Sequence, residues 1–202
     1  MKKKYWLILL IIILIIIAII IFCKKSTKNS KIGNNRNSQE IVDYILNLSS
    51  YEVQVTINVN SNKNSNKYIL KQKFQSPNTS VQEVIEPSNI AGIQIINDGT
   101  NLKIENSNLN LNTILENYTY LGNNCLDLST FIEDYKTNNE SNYEEKDNEI
   151  IMKTQSKYDN IYTKTKILYI DKKTQMPIKM EIQDNKQKNR IYILYNEVKI
   201  NM

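Results

Sequence analysis

The sequence predicts an α+β fold, a long antiparallel sheet curved over short helical segments, carried behind one N-terminal membrane-spanning segment. Three observations predict it. Apolar and polar residues alternate with period two through most of residues 51–201, two short stretches carry the helical period, and one uninterrupted apolar run of 19 residues lies near the start. One helix ahead of the strands and one among them places the chain in the α+β class.

The apolar run covers residues 5–23, opening with Tyr5 and Trp6 and closing with Phe22 and Cys23. As a helix it spans roughly 28 Å, close to the ~30 Å hydrocarbon core of a bilayer. A lipoprotein signal acylated on Cys23 is the competing reading. That site needs a small residue where Phe22 stands, and the run exceeds the usual signal core of about 7 to 15 residues, so residues 1–23 are read as a membrane anchor or uncleaved signal. Residues 24–38, KKSTKNSKIGNNRNS, have no periodicity and read as a flexible basic linker with an end-to-end distance of roughly 20 Å. The domain is then residues 39–202.

Charge divides in the same way. Eight cations precede the first acid, Glu40, so the net +5 splits into +8 for the N-terminal part and −3 for the domain. The basic character belongs to the flanks of the anchor and suits anionic lipid headgroups, and no nucleic-acid partner is expected for the domain. Cations flank the apolar run on both sides, so the charge rule does not orient it.

Within the domain, Ile41, Val42, Ile45, Leu46 and Leu48 recur near the helical period and predict a first helix of about ten residues ending near Ser49. In YEVQVTINVN the period becomes two, with Tyr51, Val53, Val55 and Ile57 on one face and Glu52, Gln54 and Thr56 on the other. SNKNSN supplies a turn, and KYILKQKFQ returns with Tyr68 and Leu70 on the same inner side. Pro77 and Pro87 bracket the strand SVQEVIE, because proline cannot donate to a ladder. IQIINDGTNLKIEN predicts a hairpin whose tight two-residue turn is Asp98 and Gly99, both at positive φ.

Strands then pause over residues 109–121. LDLSTFIEDYK fits a short amphipathic helix, and residues 137–148, which hold four carboxylates and no aliphatic residue, are expected as a solvated loop. EIIMKTQS, NIYTKTKILYID, MPIKMEIQD and NRIYILYNEVKIN predict four further strands.

Catalytic chemistry is hard to find in this chain. It has no histidine, so the commonest general base and neutral metal ligand are missing, and its four glycines form no phosphate-cradling or nucleophile-elbow motif. No enzyme activity, cofactor or metal is expected. The carboxylate pairs Glu83 with Glu86 and Asp127 with Asp134 read as ordinary surface groups, and Cys125 as a buried structural thiol. The inner-face residues Tyr51, Val53, Val55, Ile57, Tyr68 and Leu70 would line either a lipid cavity or a filled core, and we read them as core.

The segments SYEVQVTINVNSNKNSNKYILKQKF, EVIEPSNIAGIQIINDGTNLKIENSNLNL, ENYTYLGNNCLDLSTFIEDYK and LYIDKKTQMPIKMEIQDNKQKNRIYILYNEVKIN together resemble the clostridial germination lipoproteins of the GerS family, which have the lipoprotein-carrier (LolA-like) fold. The resemblance implies an incomplete β-barrel packed on short helices. It further implies an extracytoplasmic domain, in the cell envelope or the spore intermembrane space, whose protein partner is an N-acetylmuramoyl-L-alanine amidase that it binds and activates in cortex modification. Carrier relatives of that fold imply the alternative, a lipid held in the half-barrel.

Overall fold

The computed structural model describes residues 36–61, 63–118, 126–157 and 161–201. The predicted anchor residues Tyr5, Trp6, Phe22 and Cys23, most of the linker, and Cys125 lie outside these. Among the described residues no helix is long and apolar enough to cross a membrane.

The first helix, α1 (Ser38–Leu46), begins where a capping box forms. The Asn37 side chain accepts the Glu40 N–H at 2.9 Å, while the Glu40 carboxylate accepts the Asn37 N–H at 3.3 Å. It buries Ile41, Val42 and Ile45 and ends at Asn47, three residues short of the strand β1 (Ser50–Asn60).

From β1 the chain meanders through β2 (Ser65–Gln75), β3 (Thr79–Glu86), β4 (Gln94–Asn97), β5 (Leu102–Asn106) and β6 (Leu111–Leu115). Helix α2 (Leu128–Thr137) follows. A second meander then runs through β7 (Asn142–Lys146), β8 (Glu149–Gln155), β9 (Thr165–Asp171), β10 (Met176–Gln183) and β11 (Asn189–Ile200).

All the strands join one antiparallel sheet in the order β6-β5-β4-β3-β2-β1-β11-β10-β9-β8-β7. The two meanders fuse where β11 returns beside β1, with Val55 opposite Tyr195 and Ile57 opposite Ile193. A β-bulge between Glu52 and Gln54 interrupts this pairing and adds local twist. The core lies between the sheet's inner face and the two helices: Ile41 and Ile45 of α1 and Leu128 and Phe131 of α2 meet Val55, Met152, Leu168, Met180 and Ile193 from the strands.

Three expectations are corrected. Within the stretch from residue 109, where the sequence predicts a pause in the strands, residues 111–115 stay in the sheet as β6, pairing Leu115 with Leu102 and Leu111 with Asn106, while residues 119–121 lie outside the described residues. Residues 142–146 are not loop but the strand β7, paired with β8 from Asn142 to Lys146. A strand at the edge of a sheet needs no apolar face, because backbone hydrogen bonds on one side can place it. The connection from β4 to β5 is a four-residue turn, not a two-residue one. The Asp98 carboxylate accepts the N–H groups of Thr100 (2.9 Å) and Asn101 (2.7 Å), an Asx turn, and of Asp98 and Gly99 only Gly99 has a positive φ, +96°.

Candidate functional site: the inner face and the sheet edges

Helix packing and strand register bring the predicted inner-face residues together. Val55 stands opposite Leu70 and Ile57 opposite Tyr68, and Tyr51 stacks on Phe74 with ring centroids 5.5 Å apart. Tyr51, Val53, Val55, Ile57 and Leu70 are buried and Tyr68 is half-buried. They pack against the helices in the hydrophobic core.

Beside this apolar floor lies a polar patch that periodicity did not reveal. Gln72 and Gln82, opposite one another on β2 and β3, both point inward and are buried, as is Ser80. Gln82 donates to the Asp127 carboxylate at 2.5 Å, and Gln72 donates to the Leu126 carbonyl at 3.3 Å. The Tyr51 hydroxyl accepts the Ser129 N–H at 3.3 Å. Burial, with the nearby Asp127 charge second, pushes both the Tyr51 and Tyr195 phenols well above their ordinary pKa, so both remain protonated. Four buried oxygens, Gln72 Oε1, Ser80 Oγ, Ser129 Oγ and the Tyr195 hydroxyl, have no hydrogen-bond partner among the described residues. Alkyl chains could not satisfy them.

The carboxylates Asp127 and Asp134 are not on the surface as expected, for they are 1% and 5% exposed. Asp127 occupies the N-cap position of α2, yet its side chain makes no capping bond and turns to Gln82 instead. Asp134 is drawn inward by Lys166, whose ammonium lies 2.7 Å away, and it also accepts the Lys157 N–H at 3.1 Å. Asp134 is an inward position of an amphipathic helix and Asp127 the residue before its first turn, and a carboxylate at either place is legible as buried only once its partner on a distant strand is known. Among the described residues no three acidic, cysteine or histidine side chains form a metal-ligating group.

The two edges of the sheet differ. Along β7, Glu144, Glu145 and Lys146 are exposed, and Glu145 pairs with Lys172 and accepts from Ser38, contacts that hold its carboxyl below the usual range. Charges of this kind block further strand addition. Along β6 Asn112 and Thr113 are exposed together with two apolar side chains, Ile114 at 58% and Leu115 at 40%, and Leu109 just before the strand is 53% exposed. Among the described residues no strand pairs with the outer side of β6, and a backbone ladder beside apolar side chains is the arrangement to which an extended segment of another chain can add.

Among solved structures the fold is similar to the GerS lipoprotein in the complex with the CwlD amidase from Clostridioides difficile, at 23% identity and a TM-score of 0.52, covering 82% of this chain and 96% of that one. It is similar also to an uncharacterized conserved protein from Thermus thermophilus, at 12% identity and a TM-score of 0.52, covering 82% and 88%. A LolA superfamily protein, NE2245 from Nitrosomonas europaea, aligns at 13% identity and a TM-score of 0.45 over 83% and 95%. No curated protein matches the sequence. The model of one family does match, from residue 2 to residue 202, and the chain belongs to that family, the YdcC-like sporulation proteins.

Proposed function

We propose that this protein is a non-enzymatic, membrane-tethered sporulation protein that binds and activates a cortex-modifying N-acetylmuramoyl-L-alanine amidase. The observation that carries the reading is the interior of the half-barrel. Its floor is packed against α1 and α2, and its remaining wall is lined by Gln72, Gln82 and Asp127, so it suits structural support better than an acyl chain. The GerS protein that shares this fold forms a complex with an amidase.

The apolar run of residues 5–23 holds the domain at the membrane, where a stationary binder is served better than a shuttle. The contact is the β6 edge, with Ile114 and Leu115 as its apolar anchors. Activation is then a binding effect. A partner that binds only the competent amidase conformation shifts its equilibrium by the difference in affinity, and about 2.7 kcal/mol of preference raises the competent-to-incompetent ratio roughly a hundredfold.

The test mixes the purified domain with the amidase of the same organism and follows complex formation together with cleavage of peptide-free glycan stems. The expected result is a complex, a faster amidase, and loss of both in Ile114→Asp. Absence of a complex, with the domain instead extracting stoichiometric lipid, would replace this reading with that of a lipid carrier.

A further inference from the structure

The strand directions gather a second, chemically distinct surface at one end of the sheet. The described residues of the β1–β2 turn, of the β8–β9 connection and of the β10–β11 turn all lie there. The last two are joined directly, the Asn185 N–H donating to the Ile161 carbonyl at 3.0 Å and the Lys164 N–H to the Gln183 carbonyl at 2.7 Å. The first is brought alongside by the β1–β11 ladder, which still pairs Val59 with Ile191.

This end exposes Ile161 (57%) and Tyr162 (61%), with Lys186 and Lys188 exposed on the adjoining β10–β11 turn and Lys63 and Lys67 exposed by the β1–β2 turn beyond it. None of these four lysines forms an ion pair among the described residues. Among the described residues the carboxylates nearby are engaged: Asp184 is buried against Arg190 at 2.7 Å and Glu133 pairs with Lys157 at 3.0 Å. At the opposite end, where Arg36 meets Gln175 at 3.3 Å, the acids Glu145, Asp147, Glu149 and Asp171 collect. A domain of net charge −3 thus carries a cationic pole crowned by an aliphatic and an aromatic side chain.

We propose that this pole docks reversibly on an anionic phospholipid surface. An aliphatic side chain and a tyrosine at the same end of the sheet as four exposed lysines match the layering of a bilayer interface. The apolar bodies enter the headgroup region, the phenol stays at the level of water, and the ammonium groups meet lipid phosphates. The surface is also within reach of a tethered domain. Residues 24–35 span at most about 40 Å when extended, slightly more than the roughly 36 Å length of an 11-residue strand such as β1. Docking by this pole leaves the β6 edge uncovered for a protein partner.

The compact unit of residues 36–202 carries the entire core, so it can be tested without the apolar run. It contains no tryptophan, the chain's single one being Trp6. It should sediment with vesicles of equal parts phosphatidylglycerol and phosphatidylcholine, should not sediment with pure phosphatidylcholine, and should be released by high salt. Each lysine near an anionic surface contributes roughly fivefold in affinity, so K63A/K186A/K188A should bind about a hundredfold more weakly with an unchanged circular dichroism spectrum. Tyr162→Trp should give a blue-shifted emission on the anionic vesicles, and Ile114→Trp should not. The proposal is overturned if the unit ignores anionic vesicles, if the triple variant binds like the unmodified unit, or if Ile114→Trp shifts in place of Tyr162→Trp. Retention by isolated cell-wall polymer without any vesicle binding would overturn it as well.

Discussion

Lys166 and Asp134, 3% and 7% exposed at the side chain, tie β9 to α2 from within the protein. Removing one partner strands the other charge in a poorly solvated site. We therefore expect Lys166→Ala to lower the unfolding free energy by about 3 to 5 kcal/mol in urea titrations, while joint replacement by Lys166→Met and Asp134→Leu costs far less. Other carboxylates tune stability to pH. Asp184 accepts the N–H groups of Lys188 (2.9 Å) and Lys186 (2.8 Å) and the Arg190 guanidinium, and Asp171 accepts the Thr174 N–H at 2.5 Å. Those bonds, the backbone ones foremost, hold both carboxyls below their ordinary values. A carboxyl more acidic in the folded chain than in the unfolded one stabilises fully above the ordinary range near pH 4, and that contribution disappears as pH falls through the lowered folded values. Melting temperatures followed from neutral pH down to about pH 2 should drop in that window. Asp184→Asn should melt lower at neutral pH, with the gap to the unmodified protein closing at the acid end.

At the scale of elements, β1 shows how period two becomes an energy difference. Val55 and Ile57 are 0% and 1% exposed and sit beneath the helices, whereas Thr56 lies on the outer face beside Asn196. Truncating Val55 or Ile57 to alanine should cost roughly 2 to 4 kcal/mol, and Thr56→Ala little, in the same denaturation assay. Equal effects at the three positions would contradict the register. The elements that periodicity missed, β6 and β7, are the edge strands of the sheet. Each is five residues long, and β6 has only Leu111 half-buried, with Ile114 and Leu115 facing water, while β7 has only Tyr143 half-buried. Alternation arises from burying one face, so a strand placed by its neighbour's backbone carries little of it. Helix α2, by contrast, was legible, because Leu128, Phe131 and Ile132 must all meet the sheet along one stripe.

At the scale of the molecule, the apolar run sets a separate expectation. The full-length protein should resist alkaline carbonate extraction and keep its N-terminal segment, and Ile13→Lys with Ile16→Lys should release it, since each charge at a helix centre costs about 2.5 to 3.5 kcal/mol on insertion scales. A mature N-terminus at an acylated Cys23, found by mass spectrometry, would contradict this. What the sequence determined by itself is what local pattern encodes: α1, the long strands and the inner face from Tyr51 to Leu70, each read from spacing on a single element. Tertiary structure alone decided that β11 closes on β1, that Gln82 meets Asp127 while Gln72 meets the Leu126 carbonyl, that Lys166 meets Asp134, and that the β10–β11 turn with its lysines is joined to Ile161. The reason is distance along the chain. Gln82 and Asp127 lie 45 residues apart, and no periodicity within one element records a partner supplied by another. A buried polar group is stable only where the fold delivers its partner, so these sites become visible when the strands are in register.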